Sequence, residues 1–280
     1  MQAVLRTACI RHAFSDAFGI LPARLDLEGD ADTVPAVATA STAIEWTEAT
    51  WNPVTGCSKV SPGCAHCYAE ALSRRFRWTA KPWTPDNAEV NVRLRRERLD
   101  QPLRWKRPRV IFVNSMSDLF HELVPVDYVR EVFGVMAAAE QHVFQILTKR
   151  HERLAEVAGF LDWPPNVWMG VSVENNRWAE RADALRSVPA GVRFISAEPL
   201  LGPLDRLDLS GIDWLIAGGE SGPGHRPVRE EWLVDLRDRC AASGVAFFFK
   251  QWGGRTSKVG GRELDGREWS EMPGSAVALA

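Results

Sequence analysis

The sequence predicts an α/β protein built as a partial or full (β/α) barrel of about six to seven parallel strands. Three observations predict it. Short β-branched apolar runs recur from Ile44 onward, amphipathic stretches fall between them, and each apolar run ends in a polar segment. Apolar runs of this kind suit strands buried on both faces, with helices packed against them. Polar loops after strand carboxyl ends are where such barrels carry their sites. A chain of 280 residues, 45% hydrophobic and 25% charged, has the length and composition for one large domain.

The expected strands are Arg109–Val113, Val143–Leu147, Val167–Val171, Val192–Ile195, Trp214–Ala217 and Val245–Phe249, with a weaker first strand leading from Trp51 into Cys57. Between them, a helix over Asp127–Ala138 places Val129, Val132, Phe133 and Met136 on one face, and one over Glu230–Cys240 does the same with Leu233, Leu236 and Cys240. Tyr68–Phe76 is also amphipathic. No repeat of fixed period appears, so a solenoid is not expected. Residues 1–43 differ from the rest: a short helix fits Val4–Leu21, and the small-residue, acidic stretch Glu28–Ala43 reads as a linker. A partly disordered N-terminal appendage over residues 1–43, followed by the barrel domain over 44–280, is expected.

The formal charge of −2 gives no global attraction to polyanions or acidic membranes. No apolar run approaches the roughly 18 residues a spanning helix needs, and the N-terminus lacks the order of a secretion signal. A cytoplasmic protein with no membrane role is expected; its oligomeric state is not legible.

Three of the five cysteines fall within eleven residues, in Cys57-x6-Cys64-x2-Cys67. Clustering of this kind reads as metal binding rather than a disulfide framework. Two thiolates two residues apart can share a metal centre, and Gly56, Pro62 and Gly63 let the chain fold back so that Cys57 reaches it. Three ligands leave one position open, which suits a 4Fe-4S cluster with one iron free for a substrate. Zinc is the principal alternative, although His66 sits awkwardly beside Cys67 and no second Cys-x2-Cys pair follows. Unligated structural thiols are the third reading. Cys240 fits a buried helix face, Cys9 lies in the appendage, and both are expected to be inert.

The segment Trp46 to Cys57 and on through Cys67-Tyr-Ala-Glu70 resembles a phage and prophage three-cysteine protein family, labelled by gene-product numbers thirty-seven and sixty-eight, that is itself similar to radical S-adenosylmethionine barrel enzymes. The likeness continues through Phe112–His121, Leu147–Arg150, Gly170–Asn175, Ile195–Gly202, Gly218–Gly222 and Phe249–Gly253, and so covers residues 44 to about 270. The resemblance implies a 4Fe-4S cluster on Cys57, Cys64 and Cys67, S-adenosyl-L-methionine as second cofactor, and an electron donor such as a flavodoxin or ferredoxin. One departure is that the common radical pattern separates its first two cysteines by three residues, whereas six separate them here. In the common pattern an aromatic residue before the last cysteine lies near the adenine, and His66 holds that position. Asn114, Ser117, Ser172, Glu174 and Glu198, at strand ends, suit the ribose and ammonium of that cofactor. Asp118, Asn175 and Glu220 join Lys149, Arg150 and Lys250 as expected substrate contacts, the basic side chains serving phosphate or carboxylate. Asp118 alternatively caps the following helix, and the basic groups alternatively are solvated strand-end charges. Gly218-Gly219-Glu220 matches in composition the glycine-rich segment that supports the methionyl ammonium, but it falls late in the chain.

Eight basic residues against two acidic ones between Arg93 and Arg109, a net +6, make a local polyanion-binding signature, with Trp78, Trp83 and Trp105 nearby to stack on bases. The plain alternative is a solvated helix with buried tryptophans. The expected function is a radical S-adenosylmethionine-type enzyme of unknown substrate, with a nucleic acid or a nucleotide derivative as the substrate class the basic segment suggests. The competing reading is a metal-stabilised nucleic-acid-binding protein without catalysis.

Overall fold

A computed structural model describes Thr42, residues 44–256 and residues 259–274. The expected appendage and its helix lie outside the described residues. Seven parallel strands form one curled sheet in the order β1 (Ala49–Trp51), β4 (Val110–Val113), β5 (Val143–Thr148), β6 (Val167–Ser172), β7 (Val192–Ala197), β8 (Trp214–Gly218) and β9 (Ala246–Gln251). The sheet is a half-barrel, so the partial-barrel expectation holds. β2 (Val54–Thr55) and β3 (Arg93–Leu94) make a small antiparallel pair beside it, and β10 (Glu263–Leu264) pairs with β11 (Arg267–Glu268).

The helices are α1 (Tyr68–Arg75), α2 (Ala88–Asn91), α3 (Val126–Ala138), α4 (His151–Ala158), α5 (Arg181–Arg186) and α6 (Glu230–Ser243). α3 and α6 fall where the 3.6-residue periodicity put them, and α6 ends at Gly244, whose positive φ closes the last turn. The first strand stops at Trp51 instead of running into Cys57. Pro53 lacks the N–H that a ladder needs, and Val54–Thr55 turn away to pair with Arg93–Leu94.

Alternation along each strand sorts the core onto two faces. Ile111, Val113, Phe144, Ile146, Met169, Val171, Leu215, Phe247 and Phe249 pack against the helices. Their neighbours Phe112, Trp168, Phe194, Trp214, Ile216 and Phe248 join Trp46 in a second cluster inside the curl. Its rings meet edge-on, with Trp46–Phe112 centroids 4.8 Å apart and Trp168–Trp214 at 6.1 Å. The hollow of the half-barrel is thus filled with aromatic side chains, and the polar loops lie above that floor.

The free edge of β9 is covered in turn. Residues 269–271 run antiparallel to it, with Phe249 N donating to Trp269 O and Glu271 N to Phe247 O, so no long bare edge is left for a second chain to pair with.

Candidate functional site

The cysteine loop crosses the carboxyl mouth of the sheet and is tied down by four side chains from three strand-end loops. Gly56 is the pivot. Its φ of +82° is a left-handed conformation, and a Cβ there would lie 2.0 Å from the Asn91 carbonyl oxygen, so only glycine fits. Its amide donates to Met116 O (3.0 Å), laying the loop on the turn that follows β4.

The first tie comes from Arg150, after β5. Its guanidinium donates to Ser58 O (3.0 Å) and Ser58 Oγ (2.9 Å), pairs with Glu122, and lies 4.0 Å from Cys57 Sγ. The second comes from Glu174, after β6, which is fully buried, pairs with Arg181 at 2.9 Å and accepts from Ser61 Oγ. The loop passes so close here that a Cβ on Gly63 would sit 2.3 Å from Glu174 Oε1. The third and fourth come from the loop after β8. Glu220 accepts from His66 Nδ1 (2.9 Å), and Arg226, itself bound to Glu220, donates to Pro62 O (2.9 Å).

The tautomers follow from these partners. Leu123 N donates to His121 Nδ1, so the ring's proton is on Nε2 and is directed at Ser58 Oγ, 2.9 Å away. Burial, and then the Arg150 charge, hold His121 below the ordinary histidine range, in keeping with a neutral ring. Burial alone would raise the Glu220 carboxyl, but hydrogen bonds from Arg226 and His66 bring it down to about 2. An ionised Glu220 makes His66 Nδ1 the donor, so that in the neutral ring Nε2 is the acceptor.

This sets a pH dependence. Glu220 contributes stability that is fully present above its ordinary value of 4.5 and is lost as pH falls through that window toward 2. Urea unfolding at steps from about pH 5 to 2 is expected to show this loss, and Glu220→Gln to flatten the profile across that window; an unchanged acid limb in the variant would show that Glu220 does not carry it.

Two adjoining lobes open between the loop and the aromatic floor. The first, about 150 Å³, is lined by all three thiols together with Asn114, Ser117, Asp118, Lys149, Arg150 and Ser172. The second, about 220 Å³, is lined by His66, Ser196, Glu198, Glu220, Lys250 and Gln251. Cys67, Tyr68, Phe112, Leu147 and Lys149 belong to both. None of Cys57, Cys64 and Cys67 is in a disulfide. Burial, followed by the Asp118 charge, pushes the Cys57 thiol up to about 12, and burial also raises Cys67, against the amides of Glu70 and Ala69. Among the described residues, no group of three or more His, Cys, Asp and Glu converges tightly enough for a single metal ion. The donor chemistry of the first lobe is sulfur.

The expected site residues divide. Asn114 sits at φ +61°, accepts from Val54 N, and leaves its buried Nδ2 without a partner in the lobe. Ser117 Oγ donates to Val54 O (2.8 Å), and Lys149 Nζ to Ser172 Oγ (2.9 Å). Asp118 accepts from Thr148 Oγ1 (2.8 Å) and Phe120 N (3.0 Å), so it braces the turn after β4; it does not cap the following helix, whose N-cap position is Pro125. Lys250 pairs with Glu198 at 2.9 Å on the wall of the second lobe. Glu174 and Asn175 line neither lobe: the first holds the loop, and the second accepts from Arg177 N and caps a short turn. Arg150, expected to meet an anion, is 6% exposed and committed to Glu122 and Ser58. Ser58, Ser61, Arg181 and Arg226 hold the loop without having been marked by the sequence. Arg181, seven residues from Glu174, and Arg226, six residues from Glu220, lie near enough in the chain to their partners to have been found by spacing.

The basic segment is not one helix. It contains β3 and two short 3-10 turns, Arg96–Arg98 and Pro102–Arg104. Arg96 pairs with Glu131 (2.8 Å), Arg98 with Glu97 (3.8 Å) and Arg104 with Asp100, which offsets part of its charge. Trp83 is buried, Arg109 lies over Trp105, and Trp78 is exposed.

A family model described as protein of unknown function (DUF5131) matches residues 41–273. The chain belongs to this family. The DUF5131 match spans all seven strands of the half-barrel and every residue that ties down the cysteine loop. No curated protein and no solved structure matches the chain. Among the described residues, no helix is long and apolar enough to cross a membrane.

Proposed function

We propose that this chain is an iron–sulfur enzyme of the radical S-adenosylmethionine type, with Cys57, Cys64 and Cys67 as ligands of a 4Fe-4S cluster and S-adenosyl-L-methionine in the second lobe. The observation that carries this reading is the pair of adjoining lobes: all three thiols line one, and Cys67 also lines the other. The donor set fits the group, because three thiols and no carboxylate free of other duties leave a cluster one iron for a second ligand. When bound and reduced by one electron, such a cluster supplies reductive cleavage of the sulfonium to methionine and a 5′-deoxyadenosyl radical.

The chain's own residues would do the rest. Glu198 and Lys250 present opposite charges side by side, as the ammonium and carboxylate of an amino acid require. His66, held by Glu220, offers Nε2 as an acceptor beside the second lobe. Phe112 and Leu147 floor both lobes and keep water from below. A flavodoxin or ferredoxin is the kind of partner that would deliver the electron.

The test is anaerobic reconstitution of the full chain, followed by iron and sulfide quantification and an assay for 5′-deoxyadenosine with S-adenosylmethionine and a reductant. About four iron and four sulfide per chain, with 5′-deoxyadenosine formed, are expected. Stoichiometric zinc, or a cluster with no affinity for S-adenosylmethionine, would overturn the reading. Oligonucleotide binding without turnover would instead support the metal-stabilised, non-catalytic alternative.

A further inference from the structure

α1 leads away from the cysteine loop, and its far end is chemically unlike the rest of the surface. Phe76 and Trp78 are 52% and 59% exposed, with ring centroids 5.1 Å apart and planes within 23°. Large rings left half in water are costly, and two stacked together make a flat apolar step. The Arg75 guanidinium lies 5.5 Å from the Phe76 centroid. Residues 68–81 carry Arg74, Arg75, Arg77 and Lys81 against one acid, Glu70. That acid is buried, bound to Lys59 (2.9 Å) and to the Trp83 amide (2.9 Å), so it does not offset them. The basic segment Arg93–Arg109, by contrast, has acids paired with three of its arginines, Glu97 and Asp100 from within it and Glu131 from α3.

A groove of about 690 Å³ runs from the mouth along α1 as far as Arg74 and Arg75, the residues next to the step. It starts at His66, Cys67 and Tyr68, follows Leu72 to Arg74 and Arg75, and has Ser221–Pro223 as its other wall. The eight residues of α1 span about 12 Å.

We propose that Phe76 and Trp78, with Arg74, Arg75 and Arg77, form a stacking platform for single-stranded nucleic acid, and that the groove along α1 leads the strand to the mouth of the second lobe. Stacked rings take bases of any sequence, and arginines beside them take phosphates. A duplex has its bases already stacked and gains little from the rings. An acidic peptide would use the arginines alone. The inference deepens the proposed function, since it names a polymer as the substrate class for that site, yet binding at the platform needs no turnover.

The test is fluorescence anisotropy of a labelled mixed-sequence single-stranded 15-mer, as RNA and as DNA, titrated with the full chain, both metal-free and reconstituted. Phe76→Ala and Trp78→Ala are each expected to weaken binding roughly five- to a hundredfold. Arg74→Ala is expected to flatten the slope of log K against log salt by about 0.7. Both rings are exposed, so the variants should keep the parent melting temperature, and the part of the tryptophan quenching by the oligonucleotide that is lost in Trp78→Ala gives a second readout. Unchanged affinity in both ring variants, or equal competition by polyglutamate or by duplex, would overturn the platform. Loss of 5′-deoxyadenosine formation with oligonucleotide binding intact would count against the proposed chemistry alone; the reverse outcome would count against the platform alone.

Discussion

Alanine at any one of Cys57, Cys64 or Cys67 is expected to take bound iron in the reconstituted chain from near-stoichiometric to background, and with it all 5′-deoxyadenosine formation. Three ligands leave no spare, and among the side chains of the first lobe none can substitute: Asp118 is held by Thr148 and Phe120, and Arg150 is cationic. Cys57 is not poised as a thiolate, since burial and Asp118 keep it at about 12 in the free chain, and burial raises Cys67 as well. Deprotonation must therefore come with metal binding, and loading should release protons and weaken as pH falls. Cys240→Ala is the control. It opens a void in a buried helix face far from the lobes and should lower stability while leaving iron content unchanged. Iron retained by any single variant of the trio would remove the cluster assignment.

The second large effect is on stability. Glu174 and Arg181 form an ion pair in which both side chains are at most 1% exposed. Arg181 also lies 4.1 Å over the Trp178 ring and donates to Ser172 O, while Glu174 accepts from Ser61. Removing one partner strands the other in a site that water does not reach. Arg181→Met is therefore expected to cost about 3–5 kcal/mol, a large share of the roughly 5–15 kcal/mol that holds most domains folded. Replacing both, as Arg181→Met with Glu174→Leu, should cost less than Arg181→Met alone, because no uncompensated charge remains. Chemical denaturation of the metal-free chain measures both. If the double variant were the less stable of the two, the pair would be stabilising on balance, contrary to this account.

The strands were legible because burial on both faces leaves little choice of residue. Trp214–Ala217 was expected and Trp214–Gly218 is found; Val143–Leu147 was expected and Val143–Thr148 is found. The cysteine spacing marked the site itself. What failed to show was everything that depends on distant pairing. Ser61 meets Glu174 across 113 positions and His66 meets Glu220 across 154, and no local pattern encodes such partners. For the same reason Glu174, Asp118 and Arg150 read as candidates for ligand contact, since a polar side chain after a strand looks alike whether it faces a ligand or another loop. The first strand was misplaced because the Asn52-Pro53 break was outweighed by the apolar residues on either side of it.

The ties on the cysteine loop bear on what becomes of the protein when it is empty. Small metal-folded modules collapse without their ion, since nothing else orders the ligands. Here Arg150, Glu174, Glu220 and Arg226, from three different strand ends, hold the ligand-bearing segment in place through ordinary polar contacts. On the proposed reading, such a chain would lose its cluster to oxygen and be refilled as a native protein, a repairable vessel rather than a casualty.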